Sequence, residues 1–475
     1  MDNIKMEGLP WARMTQLHAC NKIREDEWLI NIKNYVEDTT QKQRIEKVPL
    51  MLREIESNKK CYDPLVVSIG PYHHEKPELK AVEKLKFKYA NQFRLACGDQ
   101  VSINQLYAEV AKVADSAREY YEEGSTTDYD NESFTKMMFL DACFVLQFMC
   151  ILTKTETKEE EDQLPTMKSY LCAFVWRDLF LLENQIPLLV LEVLLKFRVG
   201  GNIKLIQDFL DLFTSIRPPE KTSCTNFVKK FVNKSYCDAV KKFVNECCLG
   251  GQTNDKRELQ LDGSPHLLDL MRRHLTEPHN FEDRIMKKSD QWNSYRSVTE
   301  LEEAGIRFRA SKTHRVTDVT FKDHLVCGTM ILPPLVVDDT TKPLLLNLVA
   351  YEMSPNGPHD SLITSYIWLM DSLIDHANDV KELRKKGILV NNLGSDGHLA
   401  TIFNEIANGL VPDPRAYAHA KGQIEKHCRN KCRFWLAEWM HIHFSSPWTV
   451  LAFLAAIFAL ALSTGQTYFS AFPRS

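Results

Sequence analysis

The start of the chain lacks the apolar run of a secretory signal. The first ten residues interleave charged and polar side chains with single apolar ones, which is not the pattern of a signal peptide. An excess of basic charge is also missing, since 59 Lys and Arg stand against 63 Asp and Glu, for a net charge of −4. Such a balance gives no general attraction to nucleic acid. We therefore predict neither a cleaved N-terminal signal nor a nucleic-acid partner.

The thirteen cysteines are odd in number and scattered, with no C-x-x-C pair and no zinc-finger spacing with histidine. This usage favours reduced thiols that serve as small hydrophobic side chains. The adjacent His73 and His74 could bind a metal only with further ligands, which the sequence does not identify. The sequence therefore predicts no metal site and no cofactor.

Catalytic signatures are missing as well. The chain has no G-x-x-x-x-G-K-[ST], no G-x-G-x-x-G after a strand, no G-x-S-x-G and no H-E-x-x-H. It therefore lacks the motifs of P-loop nucleotide-binding proteins, dinucleotide-binding enzymes, serine hydrolases and zinc proteases. The alternative is an unrecognised enzyme that uses Asp141, Asp178, Glu183 or the pair His73 and His74. That alternative requires a cavity on which these groups converge.

Charge is absent from the C-terminal stretch between Phe444 and Pro473. As a helix rising 1.5 Å per residue, residues 447–472 are long enough to cross a hydrocarbon core of about 30 Å. We predict a transmembrane helix over 447–472, followed by a short tail, 473–475. Its predicted anchoring side chains are Trp448, Leu451, Phe453, Leu454, Ile457, Phe458, Leu460 and Leu462. A buried C-terminal core helix is the alternative, because the purely aliphatic part covers only about 15 residues.

Basic residues are concentrated before this stretch. Only Arg474 follows it, whereas the preceding basic side chains are Lys421, Lys426, Arg429, Lys431 and Arg433. The positive-inside rule then places the N-terminal body in the cytosol. We expect a single-pass membrane protein, at the plasma membrane, whose sequons at Asn131 and Asn233 are accidental.

The body reads as mainly α, a large helical bundle-like body with a small β element. We predict a flexible N-terminus over 1–24 and one helical domain over 25–443. The stretch 134–152 is apolar nearly all round, which is typical of the central helix of a bundle. Its Lys136 and Asp141 argue against a second membrane span.

The β element is predicted between about residues 306 and 337. Three short strands are indicated, at 306–309, 316–321 and 330–337. A helix ending at Gly305 should precede them, and Ser395 should cap a later helix.

An extended segment is predicted near the start of the body. Pro49, Pro64 and Pro71 forbid a long helix there, and 65–69 is a short β-like run closed by Gly70. We expect this segment to pack across helices.

A second long helical pattern covers 170–197, and Pro187 should kink or restart it. Four polar side chains lie among its strongly apolar neighbours: Asp178, Glu183, Asn184 and Gln185. Buried polar groups must be paired, so we interpret the four as a structural network that satisfies backbone groups freed by Pro187. The competing interpretation is a catalytic carboxylate set with Asp141.

Several blocks together resemble a plant family called domain of unknown function 247. The specific ones are Ser68-Ile-Gly-Pro-Tyr-His73 and Leu182-Glu-Asn-Gln-Ile-Pro187, and the resemblance runs from about residue 45 to 472. The matching motif residues are Pro49, Ser68, Gly70, Pro71, Tyr72, His73, Asp141, Glu183, Asn184, Gln185 and Pro187. The resemblance implies a mainly helical plant protein with one C-terminal transmembrane helix, no established activity and no catalytic residues. Some grass members resemble recognition determinants of pollen–stigma self-incompatibility.

We therefore predict a membrane-anchored interaction, recognition or signalling protein with protein partners. A weaker alternative is a lipid-surface adaptor that uses the basic helical pattern 227–244.

Overall fold

The structure is a computed structural model. It describes residues 43–153, 169–198, 204–214, 263–276, 296–324, 327–429 and 447–471. The chain divides into two compact units, residues 1–42 and residues 43–475. The predicted boundary at residue 24, the basic pattern 227–244 and the sequon at Asn233 lie outside the described residues.

Helices dominate the described residues. They are α1 (Leu50–Arg53), α2 (Lys80–Ala96), α3 (Ile103–Arg118), α4 (Asn131–Thr153), α5 (Ser169–Asp178), α6 (Leu188–Leu195), α7 (Lys204–Thr214), α8 (Leu267–Thr276), α9 (Val298–Glu303), α10 (Thr341–Glu352), α11 (Leu362–Leu373), α12 (Ala377–Lys385), α13 (Asp396–Ala407), α14 (Ala418–Arg429) and α15 (Pro447–Ala471). The strands are β1 (Ile306–Ala310), β2 (Thr320–Asp323), β3 (Gly328–Leu332), β4 (Leu335–Val337) and β5 (Leu389–Asn391). The predicted mainly α fold with a small β element is confirmed.

Local signals explain where several helices begin and end. Ser297 caps α9 in a capping box with Glu300, which satisfies free N–H groups of the first turn from both sides. Gly305 follows α9 with φ +82°, a conformation that favours glycine after a helix. Ser395 accepts a hydrogen bond from the N–H of His398 at 3.1 Å, so the predicted cap of α13 is confirmed.

The helix α4 lies at the centre of the N-terminal half of the body. It packs against α2, α3, α6 and α7, and 78% of its apolar window is buried. Phe144 stacks on Phe148 with ring centroids 6.2 Å apart, and Tyr89 of α2 lies 5.0 Å from Phe144. The prediction of a central bundle helix is confirmed.

Two small sheets lie in the C-terminal half. In the first, β3 is central, parallel to β1 and antiparallel to β2, so that Met330 pairs with both Phe308 and Phe321 on the buried face. The second sheet pairs β4 with β5 in parallel, and β5 was not predicted.

Two of the predicted strands differ from the structure. The predicted strand 330–337 is split between the two sheets at Pro333 and Pro334, which lack the N–H that a ladder needs. The predicted strand 316–321 begins only at Thr320, because Val316–Asp318 forms a 3-10 turn.

The predicted helical pattern over 170–197 is wrong in its middle. The helix α5 ends at Asp178, and α6 begins only after Pro187. Residues 179–187 form a fully buried loop instead. Side-chain amides within the loop bond its own backbone carbonyls and replace helical hydrogen bonds, so Pro187 restarts a helix rather than kinking one.

The C-terminal helix α15 has 25 residues, and its side chains are described from Ala455 to Thr467. Phe458 and Leu460 are each 67% exposed, which contradicts the alternative of a buried core helix. The predicted anchoring side chains of Trp448, Leu451, Phe453 and Leu454 lie outside the described side chains. Among the residues whose side chains are described, α4 is the one helix that is long and apolar enough to span a membrane. The stretch from Ala455 to Thr467 counts there as a shorter apolar helix.

Candidate functional site: a buried polar network

The predicted extended segment, from Leu65 to Gly70, belongs to no helix or strand among the described residues and bends at Leu65, Val66 and Gly70. Its backbone groups are satisfied by side chains instead. One carboxylate, that of Asp178, accepts the N–H groups of Leu65, Val66 and Val67 at 2.9, 2.8 and 3.2 Å. Three charge-assisted bonds to one acceptor fix the start of the segment against the end of α5.

Two further side chains hold the rest of this segment. Asn184 accepts the N–H of Ile69 at 2.7 Å and donates to the carbonyl of Val67 at 3.1 Å. Asp141 accepts the N–H of Gly70 at 2.8 Å. A buried backbone must find partners for its N–H and C=O groups, and here the family-motif side chains take the place of a neighbouring strand.

Gly70 explains why its motif needs glycine. Its φ is +77°, and a Cβ at this position would lie 2.4 Å from the carbonyl oxygen of Gln185. Both the backbone conformation and the close approach exclude other side chains without rearrangement. The two specific motifs of the sequence therefore meet in direct backbone contact.

Lys86 of α2 completes the network beneath Gly70. Its ammonium lies 2.6 Å from Asp141 Oδ1, Glu83 Oε1 and the carbonyl of Ser68, and its side chain is fully buried. Burial raises the pKa of the Asp141 carboxyl, and the nearby ammonium of Lys86 opposes that shift. The charges thus compensate each other inside the body.

Sequence reasoning missed Lys86, although one signal was available. Its position shares a helix face with Val82, Tyr89, Ala90 and Phe93, all of which are buried. A lysine on the apolar face of an amphipathic helix requires a buried acid as partner, and Asp141 in α4 was the candidate.

Glu183 joins the loop to the beginning of the body. It accepts the N–H of Val48 at 2.8 Å and a bond from Arg53 at 2.7 Å. His73 lies 3.5 Å from the same carboxylate, but its ring nitrogens have no hydrogen-bond partner among the described residues. Burial, and then the positive charge of Lys76, lower the pKa of His73 to about 4, which keeps this ring neutral at physiological pH.

Gln185 and Asn347 connect the loop to the C-terminal half. Gln185 donates to the carbonyl of Leu179 at 2.7 Å and accepts the N–H of Leu268 in α8 at 3.0 Å. Asn347 of α10 accepts the N–H of Leu182 at 2.8 Å. The loop 179–187 is therefore the point where the extended segment, α8 and α10 are joined.

A second polar centre lies between α8 and α11. Glu352 accepts the N–H groups of Ile363 and Thr364 at the start of α11, at 3.0 and 2.9 Å. Arg272 of α8 donates to Glu352 at 2.9 Å and also pairs with Asp360. The carboxylate thus caps one helix while its charge is balanced by another.

A cavity of about 500 Å³ adjoins this second centre. Its lining residues are Gln43, Asp269, Arg272, Arg273, Thr276, Pro358, His359, Asp360 and Leu362. Arg272 is paired with Glu352 and Asp360, and Arg273 lies 2.9 Å from Asp269. The charges at this cavity are thus engaged with one another, which leaves no excess positive charge to recruit an anion.

The catalytic alternative required Asp141, Asp178, Glu183 and the pair His73 and His74 to converge on a cavity. None of them lines the cavity described above, and each carboxylate is engaged by backbone N–H groups and a cation. The described residues also contain no group of three or more His, Cys, Asp or Glu that could hold a metal ion. The arrangement is that of a structural network, as the first interpretation of these residues held. Asp178, Asn184 and Asp141 serve the backbone of the extended segment, however, and Glu183 and Gln185 accept N–H groups of Val48 and Leu268, so these acceptors do not serve groups freed by Pro187.

The fold and this network define a mainly helical protein whose N-terminal extended segment is bound to a buried loop by side-chain hydrogen bonds. A model of plant proteins of unknown function, domain of unknown function 247, matches residues 45–462, and the chain belongs to this family.

Curated relatives come from Arabidopsis thaliana. UPF0481 protein At3g47200 is 26% identical over 434 residues, which cover 86% of this chain and 83% of the relative. Putative UPF0481 protein At3g02645 is 23% identical over 542 residues, with 98% of each chain covered. No solved structure matches the chain.

Proposed function

We propose that this protein is a single-pass membrane protein, anchored by α15, whose cytosolic body binds protein partners in recognition or signalling at the plasma membrane. The observation that carries the proposal is α15 itself, a helix of 25 residues without a charged side chain. At 1.5 Å per residue it is about 37 Å long, enough for a hydrocarbon core of about 30 Å. The exposed apolar side chains of Ile457, Phe458, Leu460 and Leu462 need a nonaqueous environment that the body does not supply.

Two hydroxyl groups of α15, those of Thr464 and Thr467, are compatible with lipid. Thr464 donates to the carbonyls of Leu460 and Ala461 at 3.0 and 2.8 Å, and Thr467 donates to the carbonyl of Ser463 at 2.8 Å. A polar group in hydrocarbon must be satisfied within its own helix or by a neighbouring one. These bonds support insertion despite the polar residues near the end of the helix.

The anchoring proposal is tested with the full chain carrying an N-terminal tag in plant cells. The wild type should remain in membranes after alkaline carbonate extraction, whereas the variant I457D/L460D should be released, because each aspartate at the centre of a span costs about 2.5–3.5 kcal/mol. In sealed vesicles, protease added from the cytosolic side should digest the body, and Asn131 should carry no glycan. Extraction of the wild type by carbonate would refute the anchor, and a protected, glycosylated body would refute the orientation.

The interaction role is tested separately. Affinity purification of the tagged wild type and of I457D/L460D from the same cells should recover a reproducible set of proteins with the wild type. Partners that bind the body should persist with the variant once its concentration is matched. Recovery of no specific protein with either chain would refute the role.

A further inference from the structure

The solvent side of α2 combines basic and large apolar side chains. At 100° per residue, one arc of this helix presents Lys80, Lys84, Phe87, Lys88 and Leu95, which we call the α2 outer face. All five are exposed, with Phe87 at 57% and Leu95 at 45%. The opposite arc carries the buried residues of α2, including Lys86. The helix is therefore fixed in rotation, and this face cannot turn inward.

The lysines of this face have no acidic partner among the described residues. Lys80, Lys84 and Lys88 form no ion pair in the part of the chain that the structure describes. The single acid of the helix, Glu83, is bound to Lys86 and to the hydroxyl of Ser68. Two lysines on other helices do have acids beside them, Lys112 with Glu109 at 2.5 Å and Lys385 with Glu382 at 2.5 Å. The chain as a whole has a net charge of −4, so the α2 outer face is a local exception.

We propose that the α2 outer face docks on an anionic lipid surface. Lysine ammonium groups are attracted to anionic headgroups, and an aromatic ring and a leucine on the same helix face can enter the boundary between headgroups and acyl chains. The 17 residues of α2 span about 25 Å, and this length would lie in the plane of the surface. A partner held by charge alone would not need Phe87 and Leu95. An RNA base could stack on Phe87, but the aliphatic Leu95 offers no such platform, and the pair on one face with lysines fits the boundary between headgroups and acyl chains.

The proposal is independent of the anchor, and the experiment separates the two. The full chain carrying I457D/L460D is incubated with vesicles of phosphatidylcholine, alone or with about 30% phosphatidylserine, and bound protein is measured by sedimentation. Binding should require phosphatidylserine and should weaken as salt is raised. This chain cannot insert α15, so retention reports the body. Failure of this binding leaves the carbonate result of the wild type untouched.

Three variants in this background test the face. K84Q/K88Q should reduce the partition coefficient by about 25-fold, since each lysine near an anionic surface contributes a factor of about five. F87S should also reduce it, by about tenfold. The matched control K381Q/K385Q, which removes two exposed lysines of α12, should bind like the parent. All three should keep the melting temperature of the parent, because the altered side chains are exposed.

Several results would overturn the proposal. One is binding of K84Q/K88Q that equals that of the parent, as the control's should. Another is a loss of binding, relative to the parent, that is as large for the control as for K84Q/K88Q. A third is lysine-dependent binding to RNA or polyglutamate that F87S does not affect, with no binding to phosphatidylserine vesicles, which would make the face a general polyanion site.

Discussion

Two apolar helices of this protein have opposite surroundings. The helix α4 has a window of mean hydropathy 1.6 and is mostly buried in the body, whereas the described apolar side chains of α15 are exposed. The helix α4 contains Asp141, whose carboxylate pairs with Lys86 and accepts the N–H of Gly70. No Asp, Glu, Lys, Arg or His lies in α15. Apolar composition is common to the two helices, and they differ in the partners they require: α4 needs a cation and an N–H group for its carboxylate, whereas α15, in the anchor proposed above, needs only hydrocarbon.

The largest effect should come from breaking the partnership inside α4. Asp141→Ala leaves the ammonium of Lys86 with Glu83 alone and frees the N–H of Gly70, so the free energy of unfolding should fall by about 3–5 kcal/mol. Denaturant unfolding of the full chain in mild detergent measures this value. The double variant D141L/K86M should recover part of the loss, because the buried ammonium is removed with its partner, whereas the N–H of Gly70 and the carbonyl of Ser68 still lack the partners they have in the wild type.

The matched change in α15 sharpens the contrast. I457D/L460D should change the unfolding free energy of the body by less than about 0.5 kcal/mol, although it releases the chain from membranes. A fall as large as that of Asp141→Ala would show that α15 packs on the body as α4 does.

The contact of α4 with the extended segment can be broken from the other side. Gly70→Ala adds a methyl group that overlaps the carbonyl of Gln185 and forces a side chain into positive φ, so we expect a loss of about 2–4 kcal/mol. Gly98→Ala is the control, because Gly98 also has positive φ but no atom within 4 Å of the added Cβ. Equal losses for the two variants would mean that the overlap at Gly70 relaxes without cost.

A smaller effect should depend on pH. The pKa of His73 is about 4 in the folded body against about 6.5 when unfolded, so between these values the unfolded chain binds more protons and stability falls as pH falls. From pH 7 to pH 5 this histidine should account for a loss of about 2 kcal/mol. His73→Gln should remove that part of the dependence, as urea unfolding at both pH values would show. An unchanged dependence would mean that His73 is solvated in the folded state.

The smallest effect is expected within α15. Thr464→Val removes a hydroxyl that bonds to the backbone of its own helix. The fraction of the protein that resists carbonate extraction should therefore stay unchanged, and the free energy of unfolding of the body should change by less than about 0.5 kcal/mol. Release from membranes would show that this hydroxyl instead serves a partner outside the helix.

The sequence predicted the helical elements better than the network that joins them. The period of α2 and the unbroken apolar surface of α4 can be read locally, because each helix repeats its own pattern. The loop 179–187 cannot be read in this way, since its leucines and glutamate are good helix formers and its partners are distant, for example Val48 at 135 residues and Ile69 at 115 residues. Asp178 and the three polar residues of the loop were recognised as a network, but the backbone they serve was visible only in the structure.

The small β element shows the same limit. Alternation predicted β1, whereas β5 has three residues and owes its conformation to β4, its partner in the parallel sheet. Prolines at 333 and 334 were visible in the sequence, but their role in dividing one strand between two sheets depends on that distant partner.

The side-chain capture of the extended segment also sets an order of events during synthesis. Leu65, Val66 and Val67 bind a carboxylate that lies 111 to 113 residues further along the chain. At 5–20 residues per second, the ribosome needs roughly 5–20 s to add that stretch. Until then the backbone N–H groups of the segment can bond only to water or to other partners, and the apolar side chains of Val67 and Ile69, which are buried in the folded body, lack that burial. The extended segment therefore cannot complete its native hydrogen bonds until α5 has been synthesised. A chaperone that holds nascent chains would act on the segment during this interval.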